Sequence, residues 1–338
     1  MKAAVFSTVS CLLASAIVLG HVVAAQRGGG QPPQGARAVA VTGIPGVVDA
    51  GAMWTIAWQG TDNADGLVGT ADEGLLFAQE QPNRVSKLDR NDRQSVFLTD
   101  THGAGSVAID SSGRILAVER TCTDPGRPGA APPCAEPTSV SVLAPARRVL
   151  ADSFEGKPLG RVNDLVVDRK GGVYFTSGGA FYASSDGRVT SLGENIRANG
   201  IMLSPDEKSL YVTNGAVILA FDIRPDGAVT NRRDFATLEA GGSGDGLAVD
   251  AAGRLYVTSA PGIQVFSPQG RYLGVIPAPR NVISVAFSGP DKKVLYVVGS
   301  GALGPDGREL TTPEGVRNNA KTIYKLPMRA QGFKGRAK

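Results

Sequence analysis

Six stretches of the chain repeat one alternation of apolar and polar positions. Each opens on a polar or small pair, runs through an apolar strand, turns at a Gly-, Asp- or Pro-bearing link, and ends in a second apolar strand. They are "DGLVGTADEGLLFAQ" from Asp65, "GSVAIDSSGRILAVE" from Gly105 and "NDLVVDRKGGVYFTS" from Asn163, then "NGIMLSPDEKSLYVTN" from Asn199, "DGLAVDAAGRLYVTS" from Asp245 and "ISVAFSGPDKKVLYVVG" from Ile283. A period of two on both sides of a short turn predicts a β-hairpin. "DSSGR", "DRKGG" and "DAAGR" carry the leading Asp and trailing Gly that such turns favour. Further strands are predicted at "RVSKLDR", "SVSVLAP", "AVILAFDI" and "GIQVFSP".

From Asp65 through Gly105, Asn163, Asn199 and Asp245 to Ile283 the spacings are 40, 58, 36, 46 and 38 residues. Units of about 40 residues with four strands each predict propeller blades. No stretch carries the helical period that a parallel α/β sheet needs between its strands. The expected fold is all-β: a six-bladed β-propeller of four-stranded antiparallel blades around a central channel. A length of 338 residues suggests about two domains, but blades that close one ring make residues 38–328 a single domain. "KTIYKLPM" is expected to close that ring by pairing with "ARAVAVTG" or "WTIAWQG". The 58-residue spacing contains an insertion around "TDPGRPGAAPP".

The ends read differently from the repeats. Lys2, the apolar run "CLLASAIVLGHVV" and the small residues Val23-Ala24-Ala25 predict a signal peptide over residues 1–25, cleaved before Gln26. The run is too short for a comfortable membrane span, so export to the periplasm or medium is expected, without stable membrane insertion. Residues 26–37 read as a disordered leader, and 329–338 as a basic, solvated tail. Loss of Cys11 with the signal leaves Cys122 and Cys134 flanking the insertion, an expected disulfide in an oxidising compartment.

Composition narrows the chemistry. The chain has two histidines, and His21 lies in the signal, so only His102 remains. A multi-histidine zinc site and a His–His dyad are thereby excluded. The formal charge of +4 has no aromatic-interleaved basic stripe, so nucleic acid is not an expected partner.

In a propeller the starts of the innermost strands converge on the axis. Here that set is Asp65, Gly105, Asn163, Asn199, Asp245 and Ile283. Two carboxylates and two amides offer hard oxygens of formal charge −2, suited to Ca²⁺ or another divalent cation. The same letters are also ordinary turn formers that bond the local backbone. His102, three residues before Gly105, is a candidate base or substrate contact. Glu119, at the end of "AVER", either meets a polar substrate or pairs with Arg120 or Arg114.

"RVNDLVVDRKGGVYFTS", "ANGIMLSPDEKSLYVTN" and "GDGLAVDAAGRLYVTSAPGIQVFSPQG" resemble the senescence-marker-protein/gluconolactonase family of six-bladed propellers. The resemblance runs from about Asp65 to Met328. It implies a calcium-dependent hydrolase of lactones, with the ion held by Asp65, Asn163, Asn199 and Asp245. By the same resemblance Arg161 faces the substrate, and Asp164 orients the site from behind the ligands. The cation would polarise the lactone carbonyl and Asp245 would activate water. Three places depart from the family pattern: Asp65 stands where Glu is usual, Val162 where Pro is usual, and Ile283-Ser284 where a Thr-Asn pair is common. A non-catalytic binding propeller and an organophosphate-type esterase are the alternatives.

Overall fold

The computed structural model describes Met1 and residues 35–120, 137–310 and 320–335. The expected signal peptide and the Cys122–Cys134 pair lie outside the described residues.

Six four-stranded antiparallel sheets follow one another along the chain. Blade 1 comprises Asp65–Gly69, Leu75–Gln79, Arg84–Leu88 and Gln94–Thr99. Blade 2 comprises Ala104–Ile109, Ile115–Glu119, Ser139–Ala144 and Arg148–Ala151, and blade 3 Leu165–Val167, Val173–Ser177, Gly179–Ala183 and Val189–Ser191. Blade 4 comprises Ala198–Leu203, Ser209–Asn214, Val217–Ile223 and Val229–Thr237, and blade 5 Leu247–Val249, Leu255–Ser259, Gly262–Phe266 and Tyr272–Pro277. Blade 6 joins Val282–Ser288, Val294–Ser300 and Lys321–Pro327 to the N-terminal strand Thr55–Gly60. The innermost strands touch in ring order, and the last returns to the first. The fold is the six-bladed β-propeller that the repeats predict.

Burial explains the pattern in the sequence. Second strands such as Leu75–Gln79 and Ile115–Glu119 are buried on both faces, whereas the outer strand Gln94–Thr99 is largely exposed. Each apolar cluster draws on adjacent blades: Val166 and Tyr174 of blade 3 pack with Leu203 and Val212 of blade 4 and Leu247 of blade 5. Sheet faces stacked in this way exclude water from one continuous apolar layer per blade junction.

The hairpin turns are fixed by side chains. Asp110 Oδ1 accepts from the amides of Ser112 and Arg114, both at 2.9 Å, and Asp250 Oδ1 accepts from Ala252 and Arg254 at the same distance. Asp168 repeats the bond pattern with Lys170 and Gly172. An Asp heading each turn therefore satisfies backbone donors that the ladder leaves over.

Ring closure uses "WTIAWQG": Thr55 pairs with Lys325 and Gly60 with Lys321. Trp58 then reaches blade 1, packing its ring at a tilt against Phe77 at 5.0 Å and donating to Gln94 at 2.8 Å. The tail corrects the expectation of a solvated terminus. Arg329 pairs with Asp49, the Phe333 amide bonds to Val249, and Lys334 pairs with Asp291. Among the described residues no helix is long and apolar enough to cross a membrane.

Candidate functional site

The polar pair heading each inner strand has a division of labour. Irregular pairing separates Asp65 from Leu67, Ala104 from Ser106, Ala198 from Ile201 and Val282 from Ser284. Such bulges re-aim side chains at the start of a strand. The second letter meets the next blade: a Cβ on Gly200 would lie 2.1 Å from the Asp245 carbonyl oxygen, so only glycine fits there. Where the second letter is Asp164, its carboxylate accepts from Ser106 Oγ at 2.8 Å, its own Leu165 amide at 2.9 Å and the Ile201 amide at 3.3 Å. Asp164 thus ties three blades together. The repeated threonines hold the same backbone: Thr213 Oγ1 accepts from the Gly200 amide at 2.7 Å, and Thr176 Oγ1 donates to the Asn199 carbonyl at 2.6 Å.

The first letters form a continuous polar chain, with Arg120 at its centre. The Arg120 guanidinium donates to Asp65 Oδ2 at 2.9 Å, to Asn163 Oδ1 at 2.6 Å, and to the carbonyls of Asn163 at 2.6 Å and Val162 at 3.0 Å. Asn163 Nδ2 donates in turn to Asn199 Oδ1, and the Asn199 side chain bonds Asp245. Asp65, Asn163, Asn199 and Asp245 are therefore brought together from four blades. Two amides can link the two ends of this chain because an amide accepts from one neighbour and donates to the next.

Arg120 and Glu80 were not anticipated. Glu80, 7% exposed, receives Arg161 at 3.2 and 3.3 Å and lies 3.6 Å from Arg120. Burial acts against the Arg120 charge, but Asp65 and Glu80 more than offset it and keep the guanidinium protonated. A signal was present: strand register places Glu80 and Arg120 where blades 3, 4 and 5 carry Gly178, Gly215 and Ala260. Two charges at an otherwise small position mark something built.

Glu119 is the correction. Successive strand residues point to opposite faces, so Arg120 turning to the channel sends Glu119 into its own blade. There it is 1% exposed, accepts from Ser139 and Ser141, and pairs with Arg147 at 2.9 Å. It faces neither a substrate nor Arg120, and Arg114 pairs with Asp110 instead. His102, half-buried with a φ of 50°, precedes Gly103, whose amide bonds Asn83 Oδ1 at 2.9 Å. Arg161 has 41% of its side chain exposed.

Asp245 ends this polar chain. Burial first, then the carboxylates of Asp65 and Asp164, push its carboxyl well above the ordinary range; Arg120 and Asn199 only partly oppose them. A cavity of about 440 Å³ lined by Thr70, Asp110, Asp168, Glu207 and Lys292 lies among the hairpin turns, at the opposite ends of the inner strands.

A divalent cation does not fit the ring as it stands. One oxygen each of Asp65, Asn163 and Asn199 accepts an N–H bond, two of them from a full positive charge. Among the described residues no cluster of three or more His, Cys, Asp or Glu side chains is arranged to hold a metal.

A family model described as the SMP-30/gluconolactonase/LRE-like region matches residues 64–301. Over 185 residues the chain is 29% identical to a gluconolactonase of Zymomonas mobilis, covering 46% of this chain and 52% of that protein. Over 187 residues it is 31% identical to a pentonolactonase of Haloferax volcanii, covering 51% of this chain and 64% of that protein. It thus spans less than two thirds of the length of these curated relatives. Among solved structures, a gluconolactonase from Xanthomonas campestris superposes with a TM-score of 0.66 at 23% identity, covering 88% of this chain and 99% of that one. A regucalcin from Agrobacterium tumefaciens, described as a calcium-binding protein, gives 0.63 at 16% identity over 83% of this chain and 95% of that one. At such identities the two structures support the fold.

Proposed function

This chain belongs to the SMP-30/gluconolactonase/LRE-like family, and from that premise we propose that it hydrolyses a lactone at the head end of its channel. The observation that carries the proposal is the convergence of Asp65, Asn163, Asn199 and Asp245, from four blades, on one polar chain. Curated relatives named as gluconolactonase and pentonolactonase support a lactone as the substrate class.

In this reading a water oxygen attacks the lactone carbonyl carbon. The ring C–O bond breaks, the departing oxygen takes a proton, and one hydroxy acid is released. Asp245, once ionised, takes the water proton, and its high proton affinity makes it a competent base. Arg161, steered by Glu80, receives the carbonyl or product carboxylate oxygens. The calcium that the resemblance implies is not part of this reading, because the oxygens it needs are committed to N–H donors.

A panel of aldonolactones and simple γ- and δ-lactones, followed by acid release, tests the activity. Turnover of at least one, falling by about a hundredfold or more in Asp245→Asn, is expected. Turnover retained in that variant removes Asp245 as the base, and no turnover of any lactone favours a ligand-binding propeller. Export is proposed with it: the protein recovered from its native host should begin at Gln26, and an intact Met1 in that material argues against cleavage.

A further inference from the structure

The ring contains a cation of its own. We propose that the Arg120 guanidinium is the resident cation of this channel, occupying the place of a divalent metal ion and making this a metal-independent propeller. The proposal stands apart from the lactone assigned above, since it concerns what the ring binds and not what it turns over.

Three features of the chain act together. Gly105 supplies the ring position of blade 2, and a Cβ there would lie 2.0 Å from Arg120 Nε and 2.2 Å from Cζ. The missing side chain is therefore the cradle in which the guanidinium lies. Asp65 is shorter by one methylene than the Glu that the resemblance expects, and its carboxylate meets Arg120 at 2.9 Å. Arg120 itself occupies a strand position where three other blades carry Gly or Ala. A longer acid, a larger residue at 105 or a small one at 120 would each undo the arrangement.

The hydrogen bonding is that of a filled site. The guanidinium spends its donors on oxygens of Asp65, Val162 and Asn163, and its side chain is only 4% exposed. Glu80 lies within reach on the same side, so two carboxylates face this one charge, and Arg161 supplies a second cation to Glu80. A planar fork satisfies several fixed oxygens at once, which a bare divalent ion would do with its coordination shell. An added divalent ion would need those oxygens while sitting against a buried like charge, and both requirements oppose its entry. Asn163 and Asn199 keep their family letters, but here their amides pass the chain of bonds on to Asp245.

The test is metal binding, read without substrate. The purified full chain is titrated with calcium chloride by calorimetry and melted with calcium or with chelator. The Asp65→Glu/Arg120→Ala double variant, which lengthens the acid and removes the guanidinium, is treated identically. The unaltered chain is expected to give no calcium heat and the same Tm in both buffers. The variant is expected to bind, with Tm rising by about 4 °C at a hundredfold excess over its Kd. A variant that is unfolded in chelator and folds on adding calcium is the same positive result. Asp65→Glu/Arg120→Gln, which keeps some bulk, serves if the first variant does not fold in either buffer. Calcium binding by the unaltered chain that Asp65→Asn abolishes overturns the proposal, as does a folded variant that ignores calcium. Neither outcome bears on whether any lactone is hydrolysed.

Discussion

The site turns on single letters whose neighbours do something different. Glu119 and Arg120 are adjacent in sequence, yet one is sealed into a blade with Arg147 while the other bridges Asp65 and Asn163 across the channel. A net charge of zero for the pair hides both roles. Asp245 shows the same dependence on surroundings. Its carboxyl is raised above 3.8, so between that value and its folded value the native state holds a proton that the unfolded chain has released. Stability must then fall as pH rises through that window, and level off above it. Asp245→Asn removes the penalty. Thermal unfolding against pH should show the variant more stable than the parent at neutral pH, the two curves meeting as pH approaches 3.8. A variant that is less stable at neutral pH would mean that the folded state favours the Asp245 carboxylate.

At the scale of the element, the hairpin is the unit that the sequence writes most clearly. In blades 2, 3 and 5 its turn depends on one Asp, and Asp250 is, with Asp110, the most heavily used. Besides two backbone amides, it receives Arg254 at 2.8 Å and the Tyr256 hydroxyl at 2.9 Å, and it is 1% exposed. Burial and the facing Asp250 carboxylate push the Tyr256 hydroxyl far above its ordinary proton affinity, so it stays a donor. Asp250→Ala strands these donors and should cost about 3 kcal/mol in denaturant unfolding. Asp89, whose turn is exposed and which bonds two amides, is the control. Asp89→Ala should cost clearly less, because water can replace the lost acceptor, and an equal loss at both sites would show that burial of the turn is irrelevant. The element scale also explains why Arg120 was missed. A strand written as "AVER" gives its alternation but not which face looks into a channel, and that face is set by the neighbouring blades.

At the scale of the whole molecule, closure depends on one strand far from its partners in sequence. Thr55–Gly60 completes blade 6, and Trp58 carries that blade onto blade 1. Removing residues up to Gly60 would leave Lys321–Pro327 as an open edge and uncover Phe77. Such a chain should lose its cooperative thermal transition and aggregate in light scattering. A truncated chain that melts as sharply as the parent would show that the ring does not need its N-terminal closure.

The sequence by itself determined the blades. A period of two, a repeated Asp…Gly turn and a unit of about 40 residues are local, and local sterics with burial of one apolar layer leave few other ways to fold them. It also determined which letters would head the inner strands, because equivalent positions of a repeat must come together at the axis. It offered "WTIAWQG" as one of two closing strands, and hydrogen-bond pairing selected it. What only the tertiary structure decided is what those letters do to one another. Whether an oxygen takes a metal or a guanidinium depends on the residue that an adjacent blade inserts into the shared space, here Arg120 through the gap at Gly105. The docking of residues 329–335 was likewise invisible, since a basic tail reads as solvated until Asp49, Asp291 and the Val249 carbonyl stand beside it. Repeats dictate where side chains converge, but the electrostatic balance at that point is a sum over residues that no local pattern contains.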